Sequence, residues 1–168
     1  SYVVTLNGSQ EVQTPLLTHT DTGTGTITLV DALDGGYAMT WAITHNAPTN
    51  GNPGNVVGHI HVAPAGANGA PQFTFPAVTS PMAGTTTIAA ALATNISDGR
   101  AYVNIHNNVV TGGYIRGQVL RPGESLRSAL LVDAGTLMGG AGFIVNLDAG
   151  VTRYLGEWTT FTGASSHI

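Results

Sequence analysis

The sequence predicts an all-β fold: one sandwich or barrel of short antiparallel strands, followed by a C-terminal extension. Three observations carry this. Apolar residues recur at every second position through segment after segment of the first 120 residues. Turns rich in Gly, Asn and Asp punctuate those segments. The composition is 42% hydrophobic and only 8% charged, with 23 glycines and 23 threonines among 168 residues. Threonine, being β-branched, suits strands, and a chain this apolar can bury a core instead of staying disordered.

The first strand is Tyr2–Leu6, with Tyr2, Val4 and Leu6 alternating with Val3 and Thr5. Gly23–Val30 follows, with Ile27 and Leu29 on one face and Thr24, Thr26 and Thr28 on the other. In the third, Tyr37, Met39, Trp41 and Ile43 alternate with Ala38, Thr40, Ala42 and Thr44. Such alternation marks half-buried antiparallel strands. Further strands are expected at Val56–Val62, Gln72–Phe75, Thr85–Ala93, Ala101–His106 and Tyr114–Leu120. Asp34-Gly35-Gly36, Ala67-Asn68-Gly69, Asp98-Gly99 and Gly112-Gly113 supply turns between them. Tyr37, Trp41, Phe73 and Phe75 read as core aromatics, and no helix of ordinary length is expected before residue 120.

After Arg121-Pro122-Gly123 the composition shifts. Ser125–Asp133 reads as the start of a short helix, and Phe143–Leu147 and Val151–Phe161 as strands. The chain therefore divides into a domain over residues 1–121 and an extension over residues 122–168. The extension has too little core to stand alone, so it is expected to pack on the domain or on a neighbouring subunit.

Composition also excludes classes of function. A net charge of −4 with no lysine disfavours a nucleic-acid partner, which needs cations along the phosphates. No apolar run reaches the ~18 residues of a membrane-spanning helix. Without cysteine there is no disulfide and no thiolate metal site. No Gly-x-Ser-x-Gly elbow and no phosphate-binding glycine loop is present. A lysine-free surface rich in Thr and Gly suits an extracellular protein, and Ser1 is read as a mature N-terminus left by signal-peptide removal.

The chemistry lies in the histidines. In a strand, His59 and His61 share a face, about 6.5–7 Å apart at Cα, while Ile60 and Val62 take the core side. In Ala101–His106, Val103 and Ile105 are core-facing, so Tyr102, Asn104 and His106 lie opposite. All three histidines therefore fall on the non-core faces of their strands. Imidazole ligands suit copper, zinc or nickel, and the Irving–Williams order favours copper, with zinc second. His167 is the candidate fourth ligand if the tail folds back or reaches a neighbour. Arg116 shares a face with Tyr114 and Gln118 and reads as half of a structural ion pair.

HIHVAPAGANGAP (His59–Pro71) and GRAYVNIHNNVVTGGYIRGQV (Gly99–Val119) resemble the two signature blocks of the CHRD domain family. YVVTLNGSQEVQTP (Tyr2–Pro15) is similar to its N-terminal block, so the resemblance covers roughly residues 2–120. It implies a Greek-key β-sandwich related to copper/zinc superoxide dismutase. It also implies that His59, His61 and His106 match the family's histidines, and Glu11 and Arg116 its paired polar positions. Two departures stand out. Gln13-Thr14-Pro15 is looser than the family's usual proline after the glutamate, and Thr111-Gly112-Gly113-Tyr114 replaces a Pro-Gly-Gly-Glu, losing a carboxylate.

Two functions follow as expectations. One is a secreted copper-binding domain that assembles with copies of itself into an extracellular polymer. There, Ser1–Leu6 or residues 122–168 would be donated to a neighbour's open sheet edge. The other is a copper-dependent dismutase or oxidase.

Overall fold

The computed structural model describes residues 1–13, 15–47, 56–107, 110–133, 136–146 and 151–154. Side chains are described in the same ranges up to residue 126, and at Ile144 and Val145. His167 and Leu147 lie outside the described residues.

Eight strands form one antiparallel sheet. They are β1 (Tyr2–Asn7), β2 (Thr22–Asp31), β3 (Gly36–His45), β4 (Val57–Val62), β5 (Pro71–Thr74), β6 (Met82–Ala89), β7 (Ala101–His106) and β8 (Ile115–Leu120). Their order across the sheet is β5-β4-β7-β8-β1-β2-β3-β6. The β3-to-β4 and β6-to-β7 connections each cross from one side of the sheet to the other, which makes the topology a Greek key. The sheet curls so that its two halves face each other. Trp41 on β3 meets Phe73 on β5 and Phe75 just beyond it, each with ring centres 5.4 Å apart. One core then fills the space between the halves, with Leu6, Ile27, Met39, Ile43, Ile60, Val103, Ile105, Ile115 and Val119 all buried.

These inward residues are the ones that the two-residue period picks out. At Gly84 a side chain would clash, because its Cβ would stand 2.3 Å from the Trp41 ring. The opposite face of β1, β2, β3 and β6 gathers many of the threonines. Thr5, Thr24 and Thr44 align across three strands, and Thr28, Thr40 and Thr85 align across β2, β3 and β6.

Two expectations need correcting. The strand expected over Thr85–Ala93 stops at Ala89, and Ala90–Ser97 forms a helix, α1. Leu92, Ala93 and Ile96 recur at helical spacing and are buried, so tertiary packing takes over where the strand pattern fades. The segment Ser125–Asp133, expected to be helical, lies within strand β9 (Glu124–Asp133). It pairs with β10 (Thr136–Asn146) from Glu124↔Asn146 to Asp133↔Thr136, with one irregularity between Leu137 and Gly139. A long hairpin ladder here overrides weak helix propensity. With β11 (Val151–Tyr154), β9 and β10 form a separate three-stranded sheet.

Candidate metal centre

Strand parity and register build the site on the outer face of β4, β7 and β8. His61 lies opposite Tyr102 and His59 opposite Asn104, while Asn104 in turn lies opposite Arg116 and Tyr102 opposite Gln118. All of these side chains share one face because Ile60, Val103, Ile105, Ile115 and Val119 occupy the other. His106, two residues from Asn104, completes the group. The three imidazoles stand with ring centres 5.0 to 5.6 Å apart. One ring nitrogen from each lies within 4.8 Å of the others.

Two backbone carbonyls fix the tautomers. His61 Nδ1 lies 2.8 Å from Gly69 O, and His106 Nδ1 lies 2.9 Å from Thr111 O. A carbonyl only accepts, so both Nδ1 atoms carry the proton and donate it. Each Nε2 is left with a bare lone pair. Both Nε2 atoms are buried without a hydrogen-bond partner, and so is His59 Nδ1. Orphaned buried nitrogens are costly unless something satisfies them. Burial is the leading cause that holds the His59, His61 and His106 pKa values below the usual imidazole value. At His59 the nearby His106 adds to the effect. All three are therefore neutral at neutral pH, the form that ligates a metal. Imidazole nitrogens on one copper or zinc ion at about 2.0–2.1 Å stand roughly 3.4–4 Å apart, a small closure from the spacing found. The donor set fits a borderline divalent ion; a hard cation would call for oxygen ligands.

A second set of residues braces the first. The Tyr102 ring stacks on His61, centres 4.9 Å apart and planes 8° apart. The Arg116 guanidinium also lies over the Tyr102 ring, 3.5 Å from the ring centre. The loop from Ala63 to Gly69 covers these side chains, and its small residues Ala63, Ala65 and Ala67 are buried. A buried loop needs partners for its carbonyls. Arg116 Nη2 donates to Pro64 O at 3.3 Å, and Gln118 Nε2 donates to Ala63 O at 3.0 Å. Gly69 links the layers, since its N–H donates to the Tyr102 hydroxyl while its carbonyl accepts from His61. A Cβ at Gly69 would stand 2.0 Å from Val62 O, so only glycine fits.

Glu11 and Arg116 are both brought to this cluster, 3% and 1% exposed. They act on each other through space, without a direct hydrogen bond, and burial outweighs Arg116 in setting the protonation of the carboxyl. Glu11 Oε2 instead accepts from Asn104 Nδ2 at 3.4 Å, and Arg116 Nη1 donates to Asn68 Oδ1 at 3.3 Å. Burial pushes the Glu11 carboxyl up to about 8, with Arg116 and the Asn104 hydrogen bond pulling the other way. The sequence reading gave no site role to Asn68, Gly69, Tyr102 or Gln118. One signal was available: β8 carries Arg116 and Gln118 in a strand buried on both faces, so polar residues there need buried partners. Away from the histidines, a cleft of about 370 Å³ runs between the outer face of β1 and β8 and the start of β9, past Val3, Thr5 and Leu126.

No curated protein and no solved structure matches this chain. A family model does match, that of the CHRD domain, over residues 2–119. The matched span contains Glu11, His59, His61, Tyr102, His106 and Arg116, so the same stretch that forms the eight-stranded sheet and its outer histidine cluster assigns the protein: the chain belongs to the CHRD domain family.

Proposed function

We propose that this domain binds a single copper ion through His59, His61 and His106, with zinc the weaker candidate. The observation that carries the reading is the convergence of three ring nitrogens that are buried, neutral and without hydrogen-bond partners. The carbonyls of Gly69 and Thr111 hold two of the rings in the ligating tautomer, as a carbonyl behind a histidine ligand does at metal sites. A copper titration followed by electron paramagnetic resonance tests it. The expected result is one site per chain with nitrogen coupling, and His61→Ala lowers affinity at least about tenfold, the usual scale for losing a ligand or its support. Stoichiometry unchanged in His61→Ala, at unchanged affinity, refutes the site.

The domain is proposed to act outside the cell as a building block that associates with its own copies. Edge strand β6 supports this: Met82–Ala89 has no charge, no proline and an unbroken register with β3, so little deters another strand from pairing with it. No helix among the described residues is long and apolar enough to cross a membrane. Size measurement on the full chain, with and without copper, checks association. The second reading is a copper oxidoreductase, supported by a three-ligand set that leaves a coordination position open to a small molecule. Rapid superoxide turnover by a copper-loaded monomer would select it.

A further inference from the structure

We propose that Arg116 tunes the oxidation state of the metal held at the histidine cluster, acting as a positioning residue through Tyr102. This inference rests on the copper reading above. The geometry is a pair of contacts that share the Tyr102 ring: the guanidinium lies 3.5 Å from its centre, and the His61 ring stacks on it at 4.9 Å and 8°. Arg116 is 1% exposed, and its fork is held from the side by Asn68 Oδ1 and Pro64 O. It makes no direct hydrogen bond to Glu11, the carboxyl nearest in the cluster. A permanent cation is thus fixed against the ring that stacks on one ligand, in a place where water does not screen it.

Two effects follow. The Tyr102 ring presses on one face of the His61 ring while Gly69 O holds its Nδ1 edge, so the direction of Nε2 is set twice. The buried positive charge also repels Cu(II) more than Cu(I), because the interaction scales with the ion's charge. Arg116 therefore shifts the site toward Cu(I), and an arginine suits the task because it keeps its charge when buried and stacks flat on an aromatic ring.

The full-length chain tests this with Cu(I) and Cu(II) affinities measured separately against competing chelators, plus the resonance spectrum of the Cu(II) form. Arg116→Met removes the charge and keeps the bulk. The ratio of Cu(I) to Cu(II) affinity should then fall about tenfold or more. Arg116→Lys, which keeps the charge but not the flat stack, should restore most of the ratio while altering the Cu(II) spectrum. If Arg116→Met fails to fold by circular dichroism, Arg116→Gln replaces it, since an amide can still bond Asn68 and Pro64. A ratio within twofold of wild type in a folded, charge-free variant overturns the proposal and leaves the copper site standing. A wild-type chain that binds neither ion sinks the copper reading itself.

Discussion

Glu11 is a carboxyl at 3% exposure beside a buried guanidinium, and its acid chemistry reaches the stability of the whole domain. Burial raises its pKa from 4.5 to about 8 in the fold. Between those values the folded chain holds a proton that the unfolded chain releases, so stability falls as pH rises through that window. For the metal-free protein we expect a loss of about 2 kcal/mol between pH 6.5 and 8. Glu11→Gln should flatten that slope, and a denaturant series at several pH values measures it. An equal slope in the variant would show that Glu11 titrates elsewhere. The three histidines act in the opposite sense. Their folded pKa values lie below the usual 6.5, so the metal-free fold loses stability as pH falls below that value.

In the elements, the two-residue period of β4 separates core from site. Ile60 is fully buried, whereas the unpartnered Nε2 of His61 belongs to the outer cluster. Ile60→Ala should cost about 2–5 kcal/mol and keep the copper ligands, while His61→Ala should lose copper at far smaller cost to folding. Thermal melts paired with copper titrations check both, and the reverse pattern would contradict the assigned register. Gly69→Ala tests the covering loop. Its Cβ collides with Val62 O, so the loop must shift and carry away the anchors of both His61 and Tyr102. A stability loss of roughly 2 kcal/mol or more, with weakened copper binding, is expected, and a denaturant melt paired with a copper titration checks it.

Much of this was legible in the sequence, because alternation reports which face a residue takes. The parity of His59, His61 and His106 against Ile60, Val103 and Ile105 was readable directly. The packing of residues 63–69 over Tyr102 and Arg116 was not, since it depends on the register of β7 against β8 and of β4 against β7. Helix α1 was missed because its buried triplet Leu92, Ala93 and Ile96 continues straight from a strand pattern, with no side-chain cap to mark the change.

Over the whole molecule, the eight-stranded sheet and its histidine cluster are complete within the first 120 residues, and β9–β11 form a sheet of their own. A chain of residues 1–121 should therefore fold and bind copper with near wild-type affinity. Loss of cooperative unfolding in that chain would show that the extension is part of the domain. If the extension carries self-association, the shortened chain should remain monomeric where the full chain assembles, which sedimentation can decide. The place of β1 has a consequence in time. It sits between β2 and β8, so Val3 must meet Leu120 across nearly the whole domain. A chain emerging N-terminus first can zip β1 to β2 and β2 to β3 at once, yet the other edge of β1 stays open until β8 arrives. Such non-local closure is slow, and an unfinished edge invites neighbours. His59 and His61 likewise wait for His106, so a half-emerged chain holds two of the three clustered imidazoles and lacks the third.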